Sequence, residues 1–322
     1  MARVYHRDQA GEPALVYGST AAAGFNAVKA ILKACLVSGY GSLPAAGWEL
    51  IAEGSNHLVL RSGNGSGYVG LTLSGFAIRI YLSKTFTGMS GSVMTGAGLK
   101  TGVAASNSTP QAMYALNTYF TTSSTWAVVA DEKTFVLNVS GDGAASPTNY
   151  SSIKSDFGSL LYVGEDTAGN FIAVGGNNTT NTANTTDLAY GRFSSRGFTA
   201  LTNPATGLLV DSGSLVVKAS PLGDDSVVAA YAAATVVPKV DISRIYWTGD
   251  DAYAGQLRGI VVPASMAFVF SGSLVTALGA SWTYDARQVA TPIALVGATW
   301  LIPRFRNNTS PNLLMTDHED YW

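Results

Sequence analysis

The apolar positions of this chain follow one helical period near the start and short alternating runs afterwards. Phe25 and, within the stretch AVKAILKACLVSGYGSLPAAGWELI, residues 27–51, Val28, Ile31 or Leu32, and Cys35 recur at helical spacing, with Lys29 and Lys33 on the opposite side. Ser19 and Thr20 offer an N-cap and Gly39 a left-handed C-cap. A helix laid across a sheet is expected here, followed by a loop that delivers Trp48 into a strand. From Gly47 onward the runs GWELIAEGSN, HLVLRSGNGSG, YVGLTLSG and FAIRIYLSKTF read as a meander of strands, with the glycines of residues 63–67 in a hairpin turn. STWAVVADEKTFVLNV, residues 124–139, predicts a hairpin turning near Asp131 and Glu132. Trp126, Val128, Phe135, Leu137 and Val139 alternate as in a half-buried pair, so a covering layer is required.

Between these runs the pattern lapses. Residues 88–110 read as an exposed small-residue connection, followed by a short helix at 111–119. A second break falls at 141–152. A third, the Asn/Thr-rich loop 175–187, holds too little apolar surface to offset its own ordering. The remainder is again short strands and turns. The fold class expected is mainly β with one N-terminal helix packed on a sheet: an α+β N-terminal domain over residues 1–148 and an all-β C-terminal domain over 149–322.

Composition changes the picture in one respect. Of the 322 residues 47% are hydrophobic, ample for a core, but only 12% are charged, about half the usual share. A surface so poor in charge suggests cover by partners in an assembly. The net charge is −2, and the largest basic group, Arg304 with Arg306, is too small to track phosphates, so no nucleic-acid partner is expected. Cys35 is the one cysteine and reads as a buried small hydrophobe rather than a reactive thiol. The first twenty residues carry charges and a proline where a secretory leader has its apolar stretch, so synthesis without a signal peptide is expected. The longest apolar run, residues 227–237, ends at Pro238 and is too short to span a membrane.

Candidate chemistry is sparse. GSVMTGAGLKT, residues 91–101, resembles a phosphate loop, but Leu99 separates Gly98 from Lys100 and no strand–helix frame surrounds it. His6, His57 and His318 show no metal-ligand spacing, and no nucleophile elbow accompanies them. Asp224–Asp225 and Asp250–Asp251 are adjacent, which favours solvated turns over a carboxylate dyad; calcium at a surface loop stays open. Asn107-Ser108-Thr109 and Asn138-Val139-Ser140 are sequons, read as a consequence of abundant Asn and Thr. No catalytic residue, cofactor or metal site is assigned. The candidate interface residues are Tyr246, Trp247, Tyr253, Trp282, Tyr321 and Trp322; the last two end a charged stretch and read either as an exposed anchor or as a disordered tail.

VYGST, ILKACLVSGYGSLPAAGWELI, NHLVLRSGNGSGYVGLTL and STWAVVADEKTFVLNV, in this order, resemble a group of tailed-bacteriophage virion proteins. In that group a VY-ST stretch, a helix ending in LV-GYG, a GW strand and a W-hairpin-F unit recur. The resemblance covers residues 14 to about 175, and YAGQLRGIVVP at 253–263 and TDHEDYW at 316–322 resemble further pieces of it. It implies a virion structural protein of the tail, baseplate or fibre-attachment region, made in the bacterial host cytoplasm. The partners implied are other virion subunits, with homo-oligomerisation expected. Three readings stay open beside it: a capsid decoration protein, a receptor- or carbohydrate-binding tail module stacking host-surface glycans on the aromatic loops, and a tail-associated glycan hydrolase.

Overall fold

The computed structural model describes residues 1–14, 20–75, 77–101, 113–114, 125–140, 159–175, 198–200, 216–218, 242–249, 252–263, 293–295, 298–301 and 314–322. Strand β1 (Arg3–His6) precedes helix α1 (Ala21–Lys33). Thr20, in extended conformation, accepts the Ala23 N–H on its side chain and starts the helix. The helix widens into a π turn over Ala34–Ser38 and stops at Gly39, φ 75° and ψ 171°. This corrects the expected left-handed cap: positive φ is needed, but the backbone leaves extended, passing so close to Leu43 and Ala45 that a Cβ has no room. The returning chain satisfies the open carbonyls at the helix end. Ala46 N–H donates to Cys35 O (2.9 Å), and Gly47 and Trp48 N–H donate to Leu36 O (3.0 and 2.9 Å).

Phe25, Val28, Ile31, Leu32 and Cys35 are fully buried, as their spacing predicts, and so is Leu36. Ala21–Ser38 has the length and apolarity of a membrane span, and half of it is buried inside the fold. Burial pushes the Cys35 thiol well up, which leaves it protonated and inert. Lys29 departs from expectation. It is buried at 6% exposure, its Nζ donating to Gly54 O at 2.6 Å and lying 3.7 Å from Glu53, while Lys33 stays at the surface and reaches the same carboxylate at 2.8 Å. A long aliphatic stem lets the lysine cross apolar ground to a backbone acceptor.

Strands β2 (Glu49–Gly54), β3 (His57–Arg61), β4 (Tyr68–Ser74) and β5 (Ala77–Ser83) form the predicted antiparallel meander, here sheet B. The stretch expected as an exposed loop is more ordered than its composition suggests. It forms a hairpin of β6 (Gly88–Ser90) and β7 (Val93–Thr95), then β8 (Lys100–Thr101), which joins β5. The reason is Met94: it is fully buried on the outer face of sheet B with Val59 and Tyr81, over Gly70, where a side chain would displace it. Of the helix expected at 111–119, the described part is strand β9 (Met113–Tyr114), also paired with β5; the rest lies outside the described residues.

Strands β10 (Thr125–Ala130), β11 (Thr134–Ser140), β12 (Ser159–Glu165), β13 (Phe171–Gly175) and β14 (Phe198–Ala200) build sheet A in the order β1-β10-β11-β12-β13-β14. The expected hairpin is present, with Trp126 opposite Val139 and Val128 opposite Leu137. These residues, Phe135, Leu161 and Val163 share one core with α1 and the inner residues of sheet B. The helix therefore packs between two sheets. The half-buried reading of the hairpin is corrected, because Ala127, Val129, Val136 and Asn138 on the second face are fully buried as well. Register also carries sheet A across residue 148: Phe135 of β11 faces Val163 of β12, so a boundary at 148/149 falls between paired strands.

Strands β15 (Val216–Lys218), β16 (Ile242–Gly249), β17 (Ala252–Pro263), β18 (Ile293–Leu295), β19 (Ala298–Leu301) and β20 (Leu314–Thr316) form sheet C, ordered β15-β16-β17-β20-β19-β18, with a short 3-10 turn at Glu319–Tyr321. The architecture is thus mainly β, with one N-terminal helix on sheets among the described residues. Residues 141–158, the Asn/Thr-rich stretch from 176, the apolar run 227–237, both Asp pairs, Asn107 and the Arg304/Arg306 group lie outside the described residues.

Candidate functional site: an arginine-centred junction

A dense polar network joins the tip of the β10–β11 hairpin to β17. Asp131 opens the hairpin turn. Its Oδ1 accepts the N–H groups of Lys133 and Thr134, both at 2.8 Å, a closure that short acidic side chains favour. Its Oδ2 is thereby aimed away from the turn, where Arg258 Nη2 meets it at 2.7 Å. Arg258 Nη1 donates to Thr134 Oγ1 at 3.0 Å, and the Thr134 hydroxyl donates in turn to Glu165 O at 2.7 Å. Tyr162 Oη accepts the Arg258 N–H at 3.3 Å and donates to the same Glu165 carbonyl at 2.6 Å. Burial pushes the Tyr162 phenol far up, so it stays a donor at all ordinary pH. Thr167 N–H to Gln256 O, 2.9 Å, adds a main-chain tie.

The other side of Arg258 is covered by Trp322, whose ring centroid lies 5.3 Å from the guanidinium carbon. Gly259, at φ +66°, leaves the space the indole fills; a Cβ would fall within the ring. Trp322 Nε1 donates to Thr316 O. Tyr321 packs against Arg244, ring centroid to guanidinium carbon 5.4 Å, and Arg244 donates to Asp320 O. This end of the chain is therefore folded back: both aromatics are half-buried against arginines of the chain's own β16 and β17. Among the other candidate aromatics, register places Trp247 opposite Gly255 and Thr248 opposite Tyr253 in the β16–β17 hairpin, with Tyr246 opposite Gln256. Trp282 lies outside the described residues.

What this arrangement does chemically is hold. Asp131 is taken by Arg258. Glu165 is engaged by Asn64 Nδ2 at 2.7 Å and Lys133 at 3.8 Å, and Asp166 closes its own hairpin turn through Ala168 N–H, Asn170 N–H and Asn170 Nδ2. Each histidine is engaged within its own turn: His6 Nδ1 accepts Asp8 N–H (3.3 Å), His318 Nδ1 accepts Asp320 N–H (3.2 Å), and His57 lies 3.2 Å from Asn56 Oδ1. Among the described residues no three His, Cys, Asp or Glu side chains are grouped to hold a metal ion. The phosphate-loop lookalike is strand, not a strand–loop–helix cradle: its Val93–Thr95 and Lys100–Thr101 lie in β7 and β8.

Arg258, Thr134 and Tyr162 belong to no catalytic or metal-binding motif in the sequence. One signal was there: Arg258 stands inside GQLRGIVVP, an otherwise uncharged strand, and a charge in such a run demands a buried partner. Neither family models, nor curated proteins, nor solved structures match this chain.

Proposed function

We propose that this chain is a structural subunit of a tailed-bacteriophage particle, in the tail, baseplate or fibre-attachment region, working through subunit contacts rather than chemistry. The observation that carries the reading is the use of the motif residues. Thr20 caps α1, Leu36 and Gly39 turn the chain out of it, and Trp48 and Trp126 are core residues. Trp48 Nε1 donates to Asp131 O at 2.8 Å and its ring meets Phe135 edge-on at 5.2 Å, tying the GW strand to the W-hairpin-F unit. A sequence pattern whose described members pack or cap is the pattern of a scaffold. The low charge content supports the same reading, since assembly covers surface that a free protein keeps charged.

Peptide mass spectrometry of purified particles, separated into head and tail fractions, tests this. Enrichment with tails at low copy number relative to the major tail protein is expected. Enrichment with heads identifies a decoration protein instead, and absence from both fractions overturns the particle reading.

A further inference from the structure

The turn between β3 and β4, residues 62–67, is docked on one end of sheet A. Gly63 N–H donates to Glu132 O at 2.7 Å in the β10–β11 turn, and Gly67 lies so close to the Phe171 ring that a Cβ has no room. Asn64 adds the side-chain tie. Its Nδ2 donates to Glu165 Oε1 at 2.7 Å, and its Oδ1 accepts the Ser66 N–H at 3.3 Å. This partner set fixes the orientation of the amide, because a carboxylate needs the NH2 and an N–H needs the oxygen. Asn64 is exposed, and it is the one asparagine of the chain that precedes a glycine, Gly65 at φ +75°.

The side-chain carbonyl carbon of an asparagine is an electrophile within reach of the next main-chain nitrogen, and a side chain on that next residue hinders the approach; glycine has none. Here the Ser66 N–H draws electron density from the Asn64 carbonyl, and the exposed position admits water. Gly65 N–H is engaged with Ser62 O at 2.9 Å, so attack waits on the opening of that bond, which a turn with glycine on both sides of Asn64 makes local. We propose that Asn64 is a site of spontaneous deamidation whose product works against the tie between sheets B and A. Gly65 N bonds to Asn64 Cγ as the Cγ–Nδ2 bond breaks, and the Gly65 amide proton leaves with the departing nitrogen as ammonia. Water then opens the cyclic imide at either carbonyl, restores the Gly65 N–H and leaves aspartate or isoaspartate; nothing is oxidised or reduced. In the aspartate product a carboxylate oxygen faces Glu165 Oε1 where Nδ2 had donated. Lys133 Nζ stands 3.8 Å from Glu165 Oε2 and is 41% exposed, too distant and too hydrated to offset two carboxylates. The Gly63–Glu132 bond remains, so the turn is loosened rather than released. The chemistry needs only this turn and water, and holds whether or not the chain is a particle subunit.

Ageing of the full chain at mildly alkaline pH, with anion exchange and peptide mapping of the fractions by mass spectrometry, tests the site. A more acidic species is expected to accumulate with time, its amide lost from Asn64 ahead of every other asparagine. Asn64→Gln is expected to suppress that species, since glutamine closes the larger ring far more slowly. An Asn64 that keeps its amide or loses it after other asparagines overturns the site, as does an acidic species that Asn64→Gln leaves unchanged. Thermal denaturation tests the consequence. Asn64→Asp is expected to shift the Tm downward from the wild type, and to give no downward shift when introduced into Glu165→Gln, where two carboxylates no longer meet. An Asn64→Asp variant as stable as the wild type, or a loss that persists in the Glu165→Gln background, overturns the opposition to Glu165.

Discussion

At the scale of single residues, charge in this protein is placed where it changes state on acidification. Burial holds the His6 imidazole below its ordinary value of 6.5, and the folded ring is neutral, its Nδ1 accepting the Asp8 N–H. The unfolded chain therefore takes the proton first. Stability from this site is complete above about pH 6.5 and falls as the pH drops through the window beneath it. Glu53 has the opposite chemistry and the same sign. The hydrogen bonds from Lys33 Nζ at 2.8 and 3.1 Å, with Lys29 behind them, hold its carboxyl below the ordinary carboxylate value. Its contribution is present above that ordinary value and is lost as the pH falls through the depressed one. Urea midpoints measured from about pH 7 to about pH 3 should thus decline in two stages. His6→Gln is expected to flatten the first stage and Glu53→Gln the second; a single decline unaffected by either variant would show that other groups govern acid stability.

At the scale of elements, α1 tests what holds a helix between two sheets. Its N-cap is one hydrogen bond at an exposed terminus, whereas Ile31 is fully buried in the shared core. Thr20→Ala should cost about 1 kcal/mol, and Ile31→Ala about 2–5 kcal/mol because the rigid surroundings only partly fill the hole. Equilibrium denaturation of the two variants gives the comparison; equal losses would mean that the helix end, rather than its packing, sets its stability. The same contrast explains what was legible in the sequence. Thr20, the apolar spacing of α1 and the alternation of Trp126, Val128, Phe135 and Leu137 are local signals, and each element formed where they placed it. Helical spacing misplaces Lys29 because its acceptor, Gly54 O, is 25 residues away. The second buried face of sheet A is marked only by Val129 and Val136, which break the expected polar alternation.

At the scale of the molecule, the Asp131–Arg258 pair spans 127 residues and connects the sheet that shares the helix core to the sheet that carries Tyr321 and Trp322. Both side chains are about 10% exposed, so each is a charge that tolerates burial only because the other is present. Asp131→Asn separates the two duties of this residue. The amide oxygen can still close the turn through Lys133 and Thr134 N–H, but the guanidinium loses its counter-charge. The expected cost is about 3–5 kcal/mol, the range for leaving a buried charge unpaired. Adding Arg258→Met removes that stranded charge while keeping an apolar stem under Trp322, so the double variant should be more stable than Asp131→Asn alone, a non-additivity characteristic of a contacting pair. Calorimetry distinguishes the pair's role in cooperativity as well. If the junction couples the two sheets, the wild type melts in one transition and Asp131→Asn in two, with the indole fluorescence of Trp322 changing in the earlier one. A single transition in both, merely shifted, would mean that the sheets are coupled by their apolar contacts and that the ion pair fixes only the angle at which β17 crosses the hairpin.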